Sequence, residues 1–118
     1  MAEAVVMATE ADLRRIAFSL PSVIEEPYYG RPSFKVVKTF MATLKEDGET
    51  LVLRMSLDER DFWLEQEPDI FFITDHYRNF PSVLVRLPVV DATRLEELLR
   101  DAWRLSAPKK VLREAGLA

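Results

Sequence analysis

The strongest constraint on how this chain folds is a change of hydrophobic period at Pro21. Before it, Leu13, Ile16, Ala17 and Leu20 recur at helical spacing, and the proline ends that helix. After it, Phe34 and Val36, then Phe40, Ala42 and Leu44, then Leu51, Leu53 and Met55 each alternate with other residues. A period of two marks half-buried strands, here a three-stranded meander. A chain with both periods has to lay a helical stripe on a sheet face. Its 118 residues suit one domain, 1–118 with a core from about 9 to 111. That length buries roughly two-thirds of the unfolded surface without disulfide or metal.

Local signals divide the rest. Thr9 with Glu10 and Asp12 reads as a helix N-terminus, because the hydroxyl caps a free N–H and the carboxylates sit at the positive end of the dipole. Asp47-Gly48 marks the turn between the second and third strands, while the turn near Val37 to Thr39 has no glycine. Ser56 and Glu59 predict a capping box opening a second helix, with Phe62 and Trp63 or Leu64 on its buried side and Pro68 beyond its end. Ile70 to Thr74 and Ser82 to Leu87 are β-like, separated by the polar and aromatic stretch Asp75 to Pro81. Asp91 is the expected N-cap of a last helix striped by Leu95, Leu98, Leu99, Ala102 and Trp103 and closed by Pro108. The predicted order is α-β-β-β-α-β-β-α, a two-layer α+β domain with helices on an antiparallel sheet.

Residue inventory narrows the chemistry. There is no cysteine, so no thiolate nucleophile, disulfide or sulfur-ligated metal is available, and the lone His76 does not make a zinc site. Three glycines, at 30, 48 and 116, cannot build a P-loop or a dinucleotide fingerprint, and no serine sits in a nucleophile elbow. Glu25 and Glu26 are adjacent loop carboxylates that face different ways as a rule, which makes a poor acid/base pair. The expectation is a protein without catalytic residues, metal or cofactor. Ala4 to Ala8, preceded by Glu3, lacks the basic start and long apolar centre of a signal peptide, and no segment approaches the ~20 apolar residues of a membrane span. A cytoplasmic location without membrane contact is therefore expected.

Charge gives the functional lead. The chain has 16 basic and 20 acidic side chains, net −4, yet Pro27 to Lys45 carries Arg31, Lys35, Lys38 and Lys45 without an acid. Asp58 to Asp69 reverses this, with six acids against the single Arg60. Lys35 lies out of phase with Phe34 and Val36, so it should point away from the helix layer. On such a face Arg31, Lys35 and Lys38 can contact phosphates while Tyr28 or Tyr29 stacks, which makes DNA the expected macromolecular ligand. His76, Tyr77, Arg78 and Asn79 then form a rim, where the guanidinium can pair with phosphate or carboxylate. The alternative is a protein-interaction or small-molecule module. A pocket uniting Tyr29, His76 and Arg78 would favour a small ligand, and a flat apolar patch a protein partner or homodimer.

Several motifs extend this reading. Leu20-Pro21-Ser22-Val23 with Glu25 and Glu26, then Tyr29-Gly30, Pro32-x-Phe34-x-Val36 and Phe40-x-Ala42, resemble the opening of MmcQ/YjbR proteins. Ser82-Val83 after an aromatic, and Ala102-Trp103 followed by Ala107, are similar to later positions of that family. The resemblance spans roughly Leu13 to Val111. It implies an α-β(3)-α-β(2)-α domain, related in shape to secretion chaperones and the frataxin-like fold, and a DNA-binding role without catalysis. Two segments depart from the family pattern. His76-Tyr77-Arg78-Asn79-Phe80 stands where many members have a lysine-containing run ending in His-Trp, and Val37-Lys38-Thr39 stands where glycine and lysine are usual.

Overall fold

Thr9 and Asp12 cap each other's backbone N–H groups and start α1 (Glu10–Ser19), which turns Leu13, Ile16 and Ala17 inward. The structure, a computed structural model, describes residues 7–117, so the N-terminal run read as lacking a signal lies mostly outside the described residues. Beyond α1 the chain forms six strands: β1 (Val23–Glu25), β2 (Ser33–Val36), β3 (Thr39–Leu44), β4 (Thr50–Arg54), β5 (Phe71–Phe72) and β6 (Ser82–Arg86). They make one antiparallel sheet in the order β1-β2-β3-β4-β6-β5. Helices α2 (Leu57–Gln66), α3 (Ala92–Ser106) and α4 (Lys109–Glu114) complete the α+β fold. Among the described residues no helix is long and apolar enough to cross a membrane.

The element order departs from expectation in three places. β1 is an extra strand, three residues between Pro21 and Pro27, too short to show alternation. The β-like run Ile70 to Thr74 shrinks to Phe71–Phe72, with a 3₁₀ turn over Asp75–Tyr77 beyond it. Past Pro108 a fourth helix, α4, buries Val111.

One core fills the space between helices and sheet. Leu13 and Ile16 of α1 and Leu95, Leu99 and Trp103 of α3 meet Phe34, Val36, Ala42, Leu44, Leu51, Leu53, Val83 and Val85 of the sheet. Trp103 also donates from Nε1 to Pro21 O at 2.8 Å, satisfying a carbonyl just past α1, so the Ala102-Trp103 pair ties the last long helix to the first. α2 is capped by Ser56, whose Oγ accepts from Glu59 N–H, but the reciprocal half of the capping box is replaced: Glu59 takes Trp63 Nε1–H at 3.3 Å. Trp63 and Leu64 pack on the core as predicted, whereas Phe62 is 54 % exposed and Arg60 takes the buried place.

The sheet's second face is set by one irregularity. Phe34 pairs with Ala42 but Lys35 pairs with Phe40, so Met41 is an extra residue, a β-bulge. An extra residue inverts the parity of everything before it. Met41 therefore enters the core, and Phe40, expected there with Ala42 and Leu44, turns to the open face beside Lys35. Ser106 of α3 fixes the distortion, its Oγ 2.8 Å from Phe40 O.

Two hairpin turns border this open face. Tyr28 and Arg31 exchange both backbone hydrogen bonds, and Tyr29 (φ +50) and Gly30 (φ +76) between them take the two positive φ values of a type I′ turn. The β2–β3 turn holds Val37 at φ +59, a strained conformation for a β-branched residue. Val37 is exposed and packs little, so Val37→Gly is expected to stabilise the fold by about 1 kcal/mol. Urea unfolding checks this; an unchanged or lower midpoint would show that the valine is not strained in solution.

Candidate ligand site on the open sheet face

Alternation places Ser33, Thr43, Val52 and Leu84 in one row across the open face, through the registers Ser33–Thr43, Thr43–Val52 and Val52–Leu84. Two residues further along, Lys35, Phe40, Arg54 and Ser82 make the next row. Ser33 and Thr43 share a buried hydroxyl–hydroxyl hydrogen bond of 2.7 Å, which lets polar groups floor the face without an unpaired atom at that point. The β1–β2 hairpin rises on one side and the Asp75–Pro81 loop on the other. Between them lies a pocket of about 520 Å³.

Its charge is one-sided. Among the described residues, Arg31, Lys35 and Arg54 line it with His76, and no carboxylate does. Arg31 lies 5.4 Å over the Tyr28 ring and has no ion pair among the described residues. Arg54 is half-buried and makes neither an ion pair nor a side-chain hydrogen bond among the described residues. Lys35 holds Glu26 at 3.1 Å, a solvent-facing pair worth about 0–1 kcal/mol that a ligand anion can displace. Lys45 extends the positive surface, its Nζ 5.6 Å from the Tyr77 ring centroid. Aromatic surface comes from both walls: Tyr28 on the hairpin, and His76, Tyr77 and Phe80 on the loop, the imidazole edge-on to Tyr77 at 4.7 Å.

The loop is held from behind. Arg60 projects from α2 with its guanidinium 2.9 Å from Phe80 O and Arg78 O, 3.2 Å from Ser82 O and 3.3 Å from Tyr77 O. The residue is 7 % exposed and has no carboxylate partner among the described residues. Its fork gathers four carbonyls of one loop, which defines the loop's shape and leaves a buried positive charge behind the pocket.

These placements redistribute the residues singled out from the sequence. Arg31, Lys35, His76 and Tyr77 come together in the pocket. Lys38 sits exposed on the β2–β3 turn, and Tyr29 stands 83 % exposed at the hairpin tip, stacked edge-on against Tyr28 rather than lining the pocket. Arg78 turns outward to pair with Asp75, and Asn79 is exposed, so both lie outside it. Glu25 and Glu26 diverge: Glu25 accepts a bidentate pair from Arg14 of α1, at 3.0 and 2.9 Å, while Glu26 faces Lys35. Among the described residues no group of three or more histidine or acidic side chains is placed to hold a metal ion.

Sequence reasoning missed Arg54, Ser82, Phe40 and Arg60. Arg54 carried a signal, since it is out of phase with Leu51, Leu53 and Met55 just as Lys35 is with its neighbours. Arg60 carried none, because a lone cation among six acids reads as a surface ion pair.

Comparison with known proteins agrees with this architecture. The family model described as YjbR matches residues 18–105. Uncharacterized proteins of Mycobacterium bovis and Mycobacterium tuberculosis are 33 % identical over 121 residues, covering 90 % of this chain and 94 % of theirs. The crystal structure of a Deinococcus radiodurans protein with the family-model domain DUF419 superposes with a TM-score of 0.74 at 26 % identity, covering 95 % of this chain and 91 % of that one.

Proposed function

The chain belongs to the YjbR family, and we propose that it is a non-catalytic binding domain whose open sheet face takes an anionic ligand carrying a flat, apolar body. The observation that carries this reading is the pocket's composition among the described residues: three cations and a histidine, no carboxylate, and aromatic walls on both sides, in a chain whose net charge is −4. Concave sites of this size and mixed lining suit small molecules. A nucleoside phosphate has the matching chemistry, with an anion for the cations and a ring for the aromatic walls. His76 packs against Tyr77 and Phe80 with no hydrogen-bonded carboxylate to orient it among the described residues, which supports binding over acid/base catalysis.

DNA is the macromolecular form of the same chemistry. The exposed Tyr29 ring just outside the pocket, edge-on to Tyr28 in its wall, favours it in single-stranded form, since unpaired bases can stack there. A duplex offers this face only its phosphates. Three pocket cations predict a slope of log K against log salt of roughly −2 for a single strand.

Fluorescence anisotropy with a labelled single-stranded oligonucleotide and a labelled duplex, at low and physiological salt, tests the reading alongside calorimetric titration with adenosine monophosphate. Saturable, salt-weakened binding of the nucleotide, competing with the single strand, is the expected result. No binding of any of the three at low salt, with the protein folded, overturns it.

A further inference from the structure

We infer that the anionic end of the ligand is a terminal phosphate ester, seated where β4 meets β6 on Arg54 and Ser82, with Arg60 behind them. This rests on the proposed anion-binding role of the pocket and names the chemical group that its corner selects.

Arg54 and Ser82 are direct cross-strand partners on the open face, so their Cβ atoms stand roughly 4.5–5.5 Å apart. Both line the pocket. Among the described residues only three buried side-chain polar atoms lack a hydrogen-bond partner: Arg31 Nε, Arg60 Nε and Ser82 Oγ. Arg31 and Ser82 line this pocket, and Arg60 braces its wall through Ser82 O. Ser82 is 4 % exposed, and a buried hydroxyl left without a partner is unusual unless something else completes it. Arg54 beside it is also without a partner among the described residues. The corner thus offers a guanidinium fork and a hydroxyl from neighbouring strand positions, both without a partner among the described residues.

Charge and oxygen count choose among anions. Arg60 places a second cation behind Ser82, uncompensated by any carboxylate among the described residues. Two cations at one corner favour a group with more than a single negative charge. A phosphate monoester carries about −1.5 to −2 near neutral pH and presents three terminal oxygens. A carboxylate has one charge and two oxygens; a phosphodiester, as inside a nucleic-acid strand, has one charge. Arg's fork binds such oxygens bidentately. Lys35 lies in the same row on the far side of Phe40, and the ligand body then lies toward Val52 and the Tyr28 wall.

NMR titration of the ¹⁵N-labelled protein with phenyl phosphate, methyl phenyl phosphate and phenol tests this, following backbone amides and arginine Nε–H signals. The monoester is expected to shift the Arg54 Nε–H and Ser82 amide saturably and to bind at least fivefold tighter than the diester, with phenol weaker than either. Ser82→Ala and Arg54→Gln, each first shown to keep the wild-type spectrum elsewhere, should weaken phenyl phosphate about tenfold. Equal affinity for monoester and diester, or shifts confined to Arg31 and Lys35 with both variants unaffected, overturns the phosphate seat and leaves the pocket reading standing. No shift with any probe overturns both.

Discussion

Replacing Arg60 with methionine is expected to destabilise the protein by about 2–3 kcal/mol and to weaken ligand binding by more than tenfold. Methionine fills a similar volume, so the loss comes from polar groups rather than a cavity. Arg60 serves four loop carbonyls at 2.9–3.3 Å. Phe80 O and Tyr77 O keep a second donor each, from Ser82 N–H and Phe80 N–H, but Arg78 O has no other backbone donor among the described residues. Removing the buried charge recovers part of its desolvation cost, which holds the net loss at or below the lower end of the ~3–5 kcal/mol lost when a buried pair is broken. Binding suffers twice, because the loop carrying His76, Tyr77 and Phe80 loses its frame and the pocket loses the charge behind Ser82. Arg60→Lys should fall between, since an ammonium has three donors and no planar fork. Urea unfolding and the same NMR titration measure both effects together. Wild-type stability with wild-type binding in the methionine variant would show that Arg60 neither frames the loop nor supports the site.

Arg60 also shows why part of the site was illegible in the sequence. Asp58 to Asp69 reads as an acidic, solvated helix, and a single arginine there suggests a surface ion pair. What turns Arg60 inward is a loop more than fifteen residues away whose carbonyls need donors, and nothing local records that need. Phe40 failed for a related reason. Thr39-Phe40-Met41-Ala42 contains no glycine or other mark of a bulge, so simple alternation assigns Phe40 to the core. The elements that were legible are those whose cause is local: the Thr9 and Asp91 caps, the Asp47 turn and the paired strand periods. Asp47 illustrates this, since its carboxylate accepts from Glu49 N–H, Thr50 N–H and the Thr50 hydroxyl, all within three residues. Parity alone placed Lys35 on the open face, and the same rule applied to β4 would have found Arg54.

Reversing the charge of Arg31 and Lys35 together, Arg31→Glu with Lys35→Glu, is expected to weaken anion binding by about a hundred- to a thousandfold while the fold persists. Each cation is half-buried in a pocket open to solvent, where an ion pair with a ligand contributes about 1 kcal/mol, well below the ~4 kcal/mol of a 4 Å pair at an effective dielectric constant of 20. Reversal removes that attraction and adds a repulsion of similar size, so two positions sum to about 3–4 kcal/mol. Stability should change little, because Lys35 pairs only with exposed Glu26 and Arg31 has no ion pair among the described residues. Lys38→Glu provides the contrast. Lys38 is exposed on the turn outside the pocket, where physiological salt screens charges beyond roughly 8 Å, and its reversal should alter binding of a small anion by less than threefold. A single strand lying along the hairpin and past the turn would feel Lys38 as well. Calorimetry with adenosine monophosphate and anisotropy with the labelled single strand, on the double variant and on Lys38→Glu, therefore separate the two forms of ligand. Strong loss in the double variant alone identifies the pocket as the seat of the charge. Equal losses in both proteins would move the contact from the pocket to the outer edge of the hairpins.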